Sequence, residues 1–215
     1  MKLGSMMLRV LGSGFVVALL SLGMLQAQLG KQIGLLNPNT ATFTELAKLP
    51  HFDEKKAKAL IKERPFLAMK QLNDHLSTSL DADQLKEIYE KLFIHLNLNS
   101  ASKEAIRLIP GVGRRMAHEF EEYRPYQSLM QFRKEIGKYV NEDEVARLEQ
   151  YVFIPINLNR ASDNDLRSIP GVGRRMLHEF KEYRPYKNMK QFRMEIGKYV
   201  DENEIARFER YLTLE

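Results

Sequence analysis

The chain of 215 residues contains no cysteine. That absence removes disulfides, thiolate zinc sites and thiol catalysis, and it leaves nothing for a lipoprotein signal to acylate. A second shortage is charge of one sign. The formal net charge is +5 and the pI is near 9.3, but the excess is spread thinly. Lys and Arg against Asp and Glu number 2 to 0 before Gln28, 10 to 9 over Gln28 to Leu96, 9 to 9 over Asn97 to Ile156, and 12 to 10 thereafter. A polybasic nucleic-acid footprint is therefore excluded, and any phosphate affinity has to come from local placement. Strand-length alternation of apolar and polar residues is also missing, which points to an all-α fold. Finally, no apolar run reaches the roughly 20 residues a spanning helix requires. The longest, Val10 to Leu25, follows Lys2 and Arg9 and ends in Leu25-Gln26-Ala27. This is the layout of a secretory signal peptide over residues 1–27, so the mature chain is expected to be exported and to start near Gln28, with an uncleaved anchor as the competing reading.

What is present is repetition. Ile-Pro-Gly-Val-Gly-Arg-Arg-Met occurs at Ile109 to Met116 and again at Ile169 to Met176. The flanking sequence recurs at the same offset, Asn157 minus Asn97, which is sixty residues. One step back, Leu36-Asn37-Pro38-Asn39-Thr40-Ala41 echoes Leu96-Asn97-Leu98-Asn99-Ser100-Ala101. The chain thus divides into a spacer at 28–34 and three units at 35–96, 97–156 and 157–215, the first of them drifted. Units this small bury marginal cores alone, and the apolar joins Leu92 to Leu96 and Val152 to Ile156 predict that neighbours pack together.

Within the second unit, Ser102 is placed to cap a short helix through Leu108, and Ile109-Pro110 ends it. After the Gly111-Val112-Gly113 turn, a helix is predicted over Arg114 to Tyr123, and Arg124-Pro125 stops it because a residue before proline avoids helical geometry. A third helix is predicted over Ser128 to Ile136. The turn Gly137-Lys138-Tyr139-Val140 and the pair Asn141-x-x-Glu144 then open a fourth, through Tyr151. Thr42-x-x-Glu45, Asp81-x-x-Gln84 and Asp201-x-x-Glu204 are the matching cap pairs elsewhere. Met116, Phe120 and Tyr123, with Met176, Phe180 and Tyr183, recur at helical spacing and read as core. Asn97-Leu98-Asn99 and Asn157-Leu158-Asn159 read as extended connectors.

The chemistry lies in the turn. Glycine at 111 and 113 permits a positive φ and lets a ligand approach the backbone closely. Where a helix begins, unpaired N–H groups and a partial positive charge converge, an arrangement that suits phosphate. The expected contacts are Gly111, Val112, Gly113, Arg114 and Arg115, and their copies Gly171, Val172, Gly173, Arg174 and Arg175. Such contacts hold the phosphate backbone and read no base sequence. The opposing reading makes Pro-Gly-Val-Gly a plain turn between two helices with solvated arginines.

Asn-Leu-Asn-x-Ala-Ser, Ile-Pro-Gly-Val-Gly-Arg-Arg-Met and Glu-Tyr-Arg-Pro-Tyr together resemble the tandem helix-hairpin-helix domain of the ComEA-type competence DNA receptors, over most of the chain after Leu35. The resemblance implies an exported, helical, non-enzymatic domain that binds double-stranded DNA without sequence preference through hairpin amides, in DNA uptake. The first unit departs from the pattern: His51-Phe52-Asp53 replaces the glycine turn and Glu54-Lys55 the arginines. It is expected to bind no phosphate, with Phe52 poorly suited to a glycine backbone. The lumenal extrinsic subunit of photosystem II resembles the same domain and is a structural cap, which keeps a second reading open: an exported scaffold that engages envelope proteins and ignores DNA. A DNA glycosylase is the nearest enzyme class, but the catalytic Asp expected after the hairpin is missing, and Arg114-Arg115-Met116 and His118-Glu119 stand there. His118 and His178 lie beside Glu119 and Glu179 at no metal-ligand spacing, so no catalytic residue, metal or cofactor is expected. Tyr123, Arg124 and Tyr126, with Tyr183, Arg184 and Tyr186, read as packing residues, because the first unit keeps Arg64-Pro65-Phe66 without the hairpin.

Overall fold

The computed structural model describes residue 30 and residues 34–214. The leader read over 1–27 and most of the spacer lie outside the described residues. The described chain is mostly helical. The first copy contains α1 (Phe43–Leu46), α2 (Glu54–Lys62), α3 (Met69–Leu76) and α4 (Ala82–Tyr89). The second contains α5 (Lys103–Ile106), α6 (Arg114–Glu122), α7 (Leu129–Ile136) and α8 (Glu142–Glu149). The third contains α9 (Asp163–Ser168), α10 (Arg174–Glu182), α11 (Met189–Ile196) and α12 (Glu202–Glu209). Among the described residues no helix is long and apolar enough to cross a membrane.

Local chemistry sets most helix starts. Thr42 with Glu45 and Asp81 with Gln84 form reciprocal caps, whereas Ser102, Ser128, Asn141 and Asp201 each accept a backbone N–H of the first turn. A side-chain cap of this kind stabilises a helix by about 1 kcal/mol. Asn141 and Asp201 cap in one direction only, because the carboxylates of Glu144 and Glu204 turn to Arg147 and Arg207 instead.

The connectors are not merely extended. Leu96–Asn97 (β1) pairs in parallel with Val152–Phe153 (β2), and Ile156–Asn157 (β3) with Leu212–Thr213 (β4). A single bridge joins Leu36 to Leu92 at the equivalent place in the first copy. Each copy thus closes by pairing its own start with its own end. The architecture is mostly helical, in keeping with the expected all-α class, and the two-residue strands are too short to show as alternation in the sequence. Behind them, Asn99 brackets the residue after proline: its Nδ2 donates to the Tyr126 carbonyl at 2.9 Å and its Oδ1 accepts the Tyr126 N–H at 2.7 Å. Asn39 does the same to Phe66, and Asn159 to Tyr186. The Arg124 guanidinium donates to the carbonyls of Leu98 and Ala101, both at 2.6 Å. Arg64 binds Pro38 and Ala41 in the same way, and Arg184 reaches Ala161. These arginines staple helix ends to connectors, which accounts for their retention in all three copies.

One buried apolar cluster runs through the first two copies, from Leu35 to Ile154, and a second fills the third copy. Edge-to-face pairs such as Phe120 with Phe132 at 5.2 Å and Phe180 with Phe192 at 5.4 Å sit at their centres. The third copy folds back onto the joint between the others. Arg210 donates to the His95 carbonyl at 2.9 Å, and Thr40 of the first copy lies beside the third copy's Gly171. His95 is fully buried in that joint; burial first, and then the Arg210 charge, depress its pKa to about 4.

Candidate nucleic-acid interface

In the second copy the helix α5 ends into Ile109, which is buried, and Gly111 turns the chain with φ +80°. The Val112 N–H closes the turn on the Ile109 carbonyl at 3.0 Å, and the Val112 side chain is buried beneath. Gly113 then takes the N-cap place of α6 in extended geometry, with no side chain to cap it and nothing within 4 Å of where a Cβ would stand. Gly111, Gly113, Arg114 and Arg115 are all exposed. The third copy repeats the arrangement: Gly171 at φ +82°, Val172 bonded to Ile169 and buried, Gly173 as a bare N-cap, and Gly171, Gly173, Arg174 and Arg175 exposed. The structure brings the sequence-predicted residues to one edge of each turn, with Val112 and Val172 set apart. Their amides are spent inside the turn, and the Gly173 N–H bonds the Gly171 carbonyl at 3.1 Å, so the donors left without a backbone partner are those of the first turn of α6 and α10, together with the Gly113 N–H in the second copy.

The first copy reaches the same backbone by different chemistry. Its left-handed residue is His51, at φ 59°, and not Phe52 as the sequence reading had it. Phe52 is half-buried against the core. Asp53 occupies the N-cap of α2, and its Oδ1 accepts the Lys56 N–H at 2.7 Å. That backbone bond is the main reason the Asp53 carboxyl is held below its ordinary range. The helix start that is bare in the other copies is therefore filled here by the chain's own carboxylate.

Two residues escaped the sequence reading. Arg147, on α8, leans across the turn with its Nη2 3.2 Å from a Cβ built on Gly111. Arg207, on α12, donates to the Pro170 carbonyl. At the equivalent place in the first copy, Glu87 meets the His51 ring at 2.9 Å. The fixed offset of sixty residues between Glu87, Arg147 and Arg207 was the signal. The fourth helix of every copy sends a charged side chain to its first turn, acidic once and basic twice. Arg147 remains a third exposed, while Arg207 is 3 % exposed. The third copy's turn also meets the first copy, where the Thr40 Cγ2 lies 3.4 Å from a Cβ built on Gly171.

A second feature appears only in the two glycine-bearing copies. The hydroxyls of Tyr123 and Tyr139 meet at 2.7 Å, and those of Tyr183 and Tyr199 at 2.8 Å. Arg115 stands over the Tyr139 ring at 6.0 Å and Arg175 over Tyr199 at 5.6 Å.

The enzyme-like elements weighed in the sequence do not converge. His118 pairs with Glu122 at 3.5 Å and His178 with Glu182 at 3.4 Å, both on open helix faces. Among the described residues no group of three or more His, Asp or Glu side chains is placed to hold a metal ion. No family model, curated protein or solved structure matches this chain.

Proposed function

We propose that the chain is an exported, non-enzymatic array of three tandem helix-hairpin-helix units that binds double-stranded DNA without sequence preference. The second and third units hold the phosphates, through the first-turn amides of α6 and α10 and the side chains of Arg114, Arg115, Arg174 and Arg175, with Gly111, Gly113, Gly171 and Gly173 admitting the strand. Val112 and Val172 anchor the turns from below. One observation carries the reading: the bare glycine N-caps at Gly113 and Gly173 stand where the first unit has the self-capping Asp53. Such a start leaves its first-turn donors without a side-chain partner, a place an oxyanion can take.

The direct test is a gel-shift titration of duplex DNA with the mature protein and with a variant carrying Glu at Arg114, Arg115, Arg174 and Arg175. Retention should be lost while the helical circular dichroism stays unchanged; equal retention by the variant removes the site. If each hairpin neutralises two phosphates, log affinity should fall against log salt with a slope of roughly −3 to −4. The scaffold reading rests on the near balance of charge in every unit. It predicts that the purified protein ignores duplex DNA at low salt and co-purifies with an envelope protein.

A further inference from the structure

The tyrosine pairs carry an inference beyond the hairpins themselves. Tyr123 closes α6, and Tyr139 belongs to the second turn of the same copy, between α7 and α8. Their hydroxyl contact ties the helix that leaves the first hairpin to the loop that forms the second. The Tyr139 hydroxyl is bonded to that of Tyr123, and this contact first, then the nearby Glu119 carboxylate, hold it well above the ordinary phenol range. Lys138 lies 4.8 Å over the Tyr123 ring and pairs with Glu135. On the far side Arg115 sits over Tyr139. The third copy repeats this with Tyr183, Tyr199, Lys198 and Arg175. The first copy has none of it. The places of Tyr123, Lys138 and Tyr139 are held by Glu63, Thr78 and Ser79, yet that copy forms the same four helices. The fold therefore does not require the brace, and the brace accompanies the glycine hairpin wherever that hairpin occurs.

We infer that Tyr139 and Tyr199 are positioning residues. Each pins the second-turn loop to the helix bearing the first hairpin and holds Arg115 or Arg175 over an aromatic face, so that a unit offers an anionic strand one pre-ordered cationic edge. An arginine whose rotamers are already restricted loses less entropy on meeting a phosphate, and a ring beneath it adds a cation–π attraction. The ligand in this inference rests on the DNA reading; the brace itself does not.

The test uses the mature protein with Tyr139→Phe and Tyr199→Phe, then with Tyr139→Ala and Tyr199→Ala. The phenylalanine pair keeps the ring under each arginine and deletes the hydroxyl contact. It should speed amide hydrogen exchange over Gly137 to Val140 and Gly197 to Val200 by several fold and weaken DNA retention by roughly twofold, less than the alanine pair does. The alanine pair removes the platform as well, and should weaken duplex retention by roughly five- to tenfold, within the range expected of a cation–π contact plus lost pre-ordering. In a double-mutant cycle the loss should be strongly non-additive with Arg115→Ala and Arg175→Ala. Unchanged hydrogen exchange in the phenylalanine pair overturns the brace. Additive losses in the cycle overturn the positioning role. Faster exchange in a protein whose wild type retains no DNA supports the brace and discards the DNA reading, so the two failures are separable.

Discussion

The first and second copies build the same turn from opposite materials. In one, a histidine takes the left-handed position, a glutamate from the fourth helix pairs with it, and an aspartate caps the helix that follows. In the other, glycine takes that position, an arginine comes from the fourth helix, and the helix start is left uncapped. The first turn is complete in itself. The second leaves the first-turn donors of α6 without a side-chain partner inside the chain, and it is these that the proposed function assigns to an anion. The third copy shares the second's chemistry but has its fourth-helix arginine buried and the first copy's Thr40 at its turn. The first copy thus contacts the third copy's turn, and the turn of the second copy is the more open of the two glycine turns.

Acid should disturb the joint at His95 more than any single substitution does. His95 lies in the joint after the first copy, where the second joint has Pro155. Its folded pKa near 4 lies below the ordinary 6.5, so its contribution is complete above pH 6.5 and is lost as pH falls toward 4. Over that window denaturation should register about 3 kcal/mol of lost stability, and His95→Gln should flatten the slope. An identical slope in the variant would mean that other groups set it. The glycines differ next: Gly111→Ala forces a Cβ onto a left-handed residue and should cost about 1 to 2 kcal/mol, whereas Gly113→Ala, in extended geometry with open space around it, should cost less, under about 1 kcal/mol, through the poorer N-cap alone. Equal costs would show that the turn is not held as described. Asp53→Ala should cost about 1 kcal/mol through the lost cap, with DNA retention unaffected. The smallest expected effect is at His51. Relief of the left-handed side chain in His51→Gly should offset the exposed Glu87 pair, for a net change within about 1 kcal/mol by thermal denaturation.

Much of this was legible in the sequence because repetition multiplies weak signals. Cap pairs such as Thr42 with Glu45 and the stop at Arg124-Pro125 appear where local rules put them. The fourth helix ends earlier than predicted, at Glu149, because Tyr151 leads into a strand that the alternation rule cannot detect at two residues. The site was half legible. Glycines and arginines adjacent in sequence announced themselves, while Arg147, Tyr139 and their copies come from other helices and loops: the sixty-residue offset marks them as equivalent positions, but only tertiary contact brings them to the turn. The strain expected at Phe52 falls on His51, because the sixty-residue offset sets His51 opposite the left-handed Gly111 and Phe52 opposite the buried Val112.

The central claim is that the bare N-caps of α6 and α10 are kept for an anion. Installing the first copy's solution at both places, with Gly113→Asp and Gly173→Asp, tests it most directly, with Gly113→Asn and Gly173→Asn as the uncharged control. Gel-shift titration of the aspartate pair should show duplex affinity reduced by about tenfold or more, equivalent to at least about 1.4 kcal/mol, alongside a melting temperature that holds or rises. Undiminished retention of DNA by that protein would contradict the account.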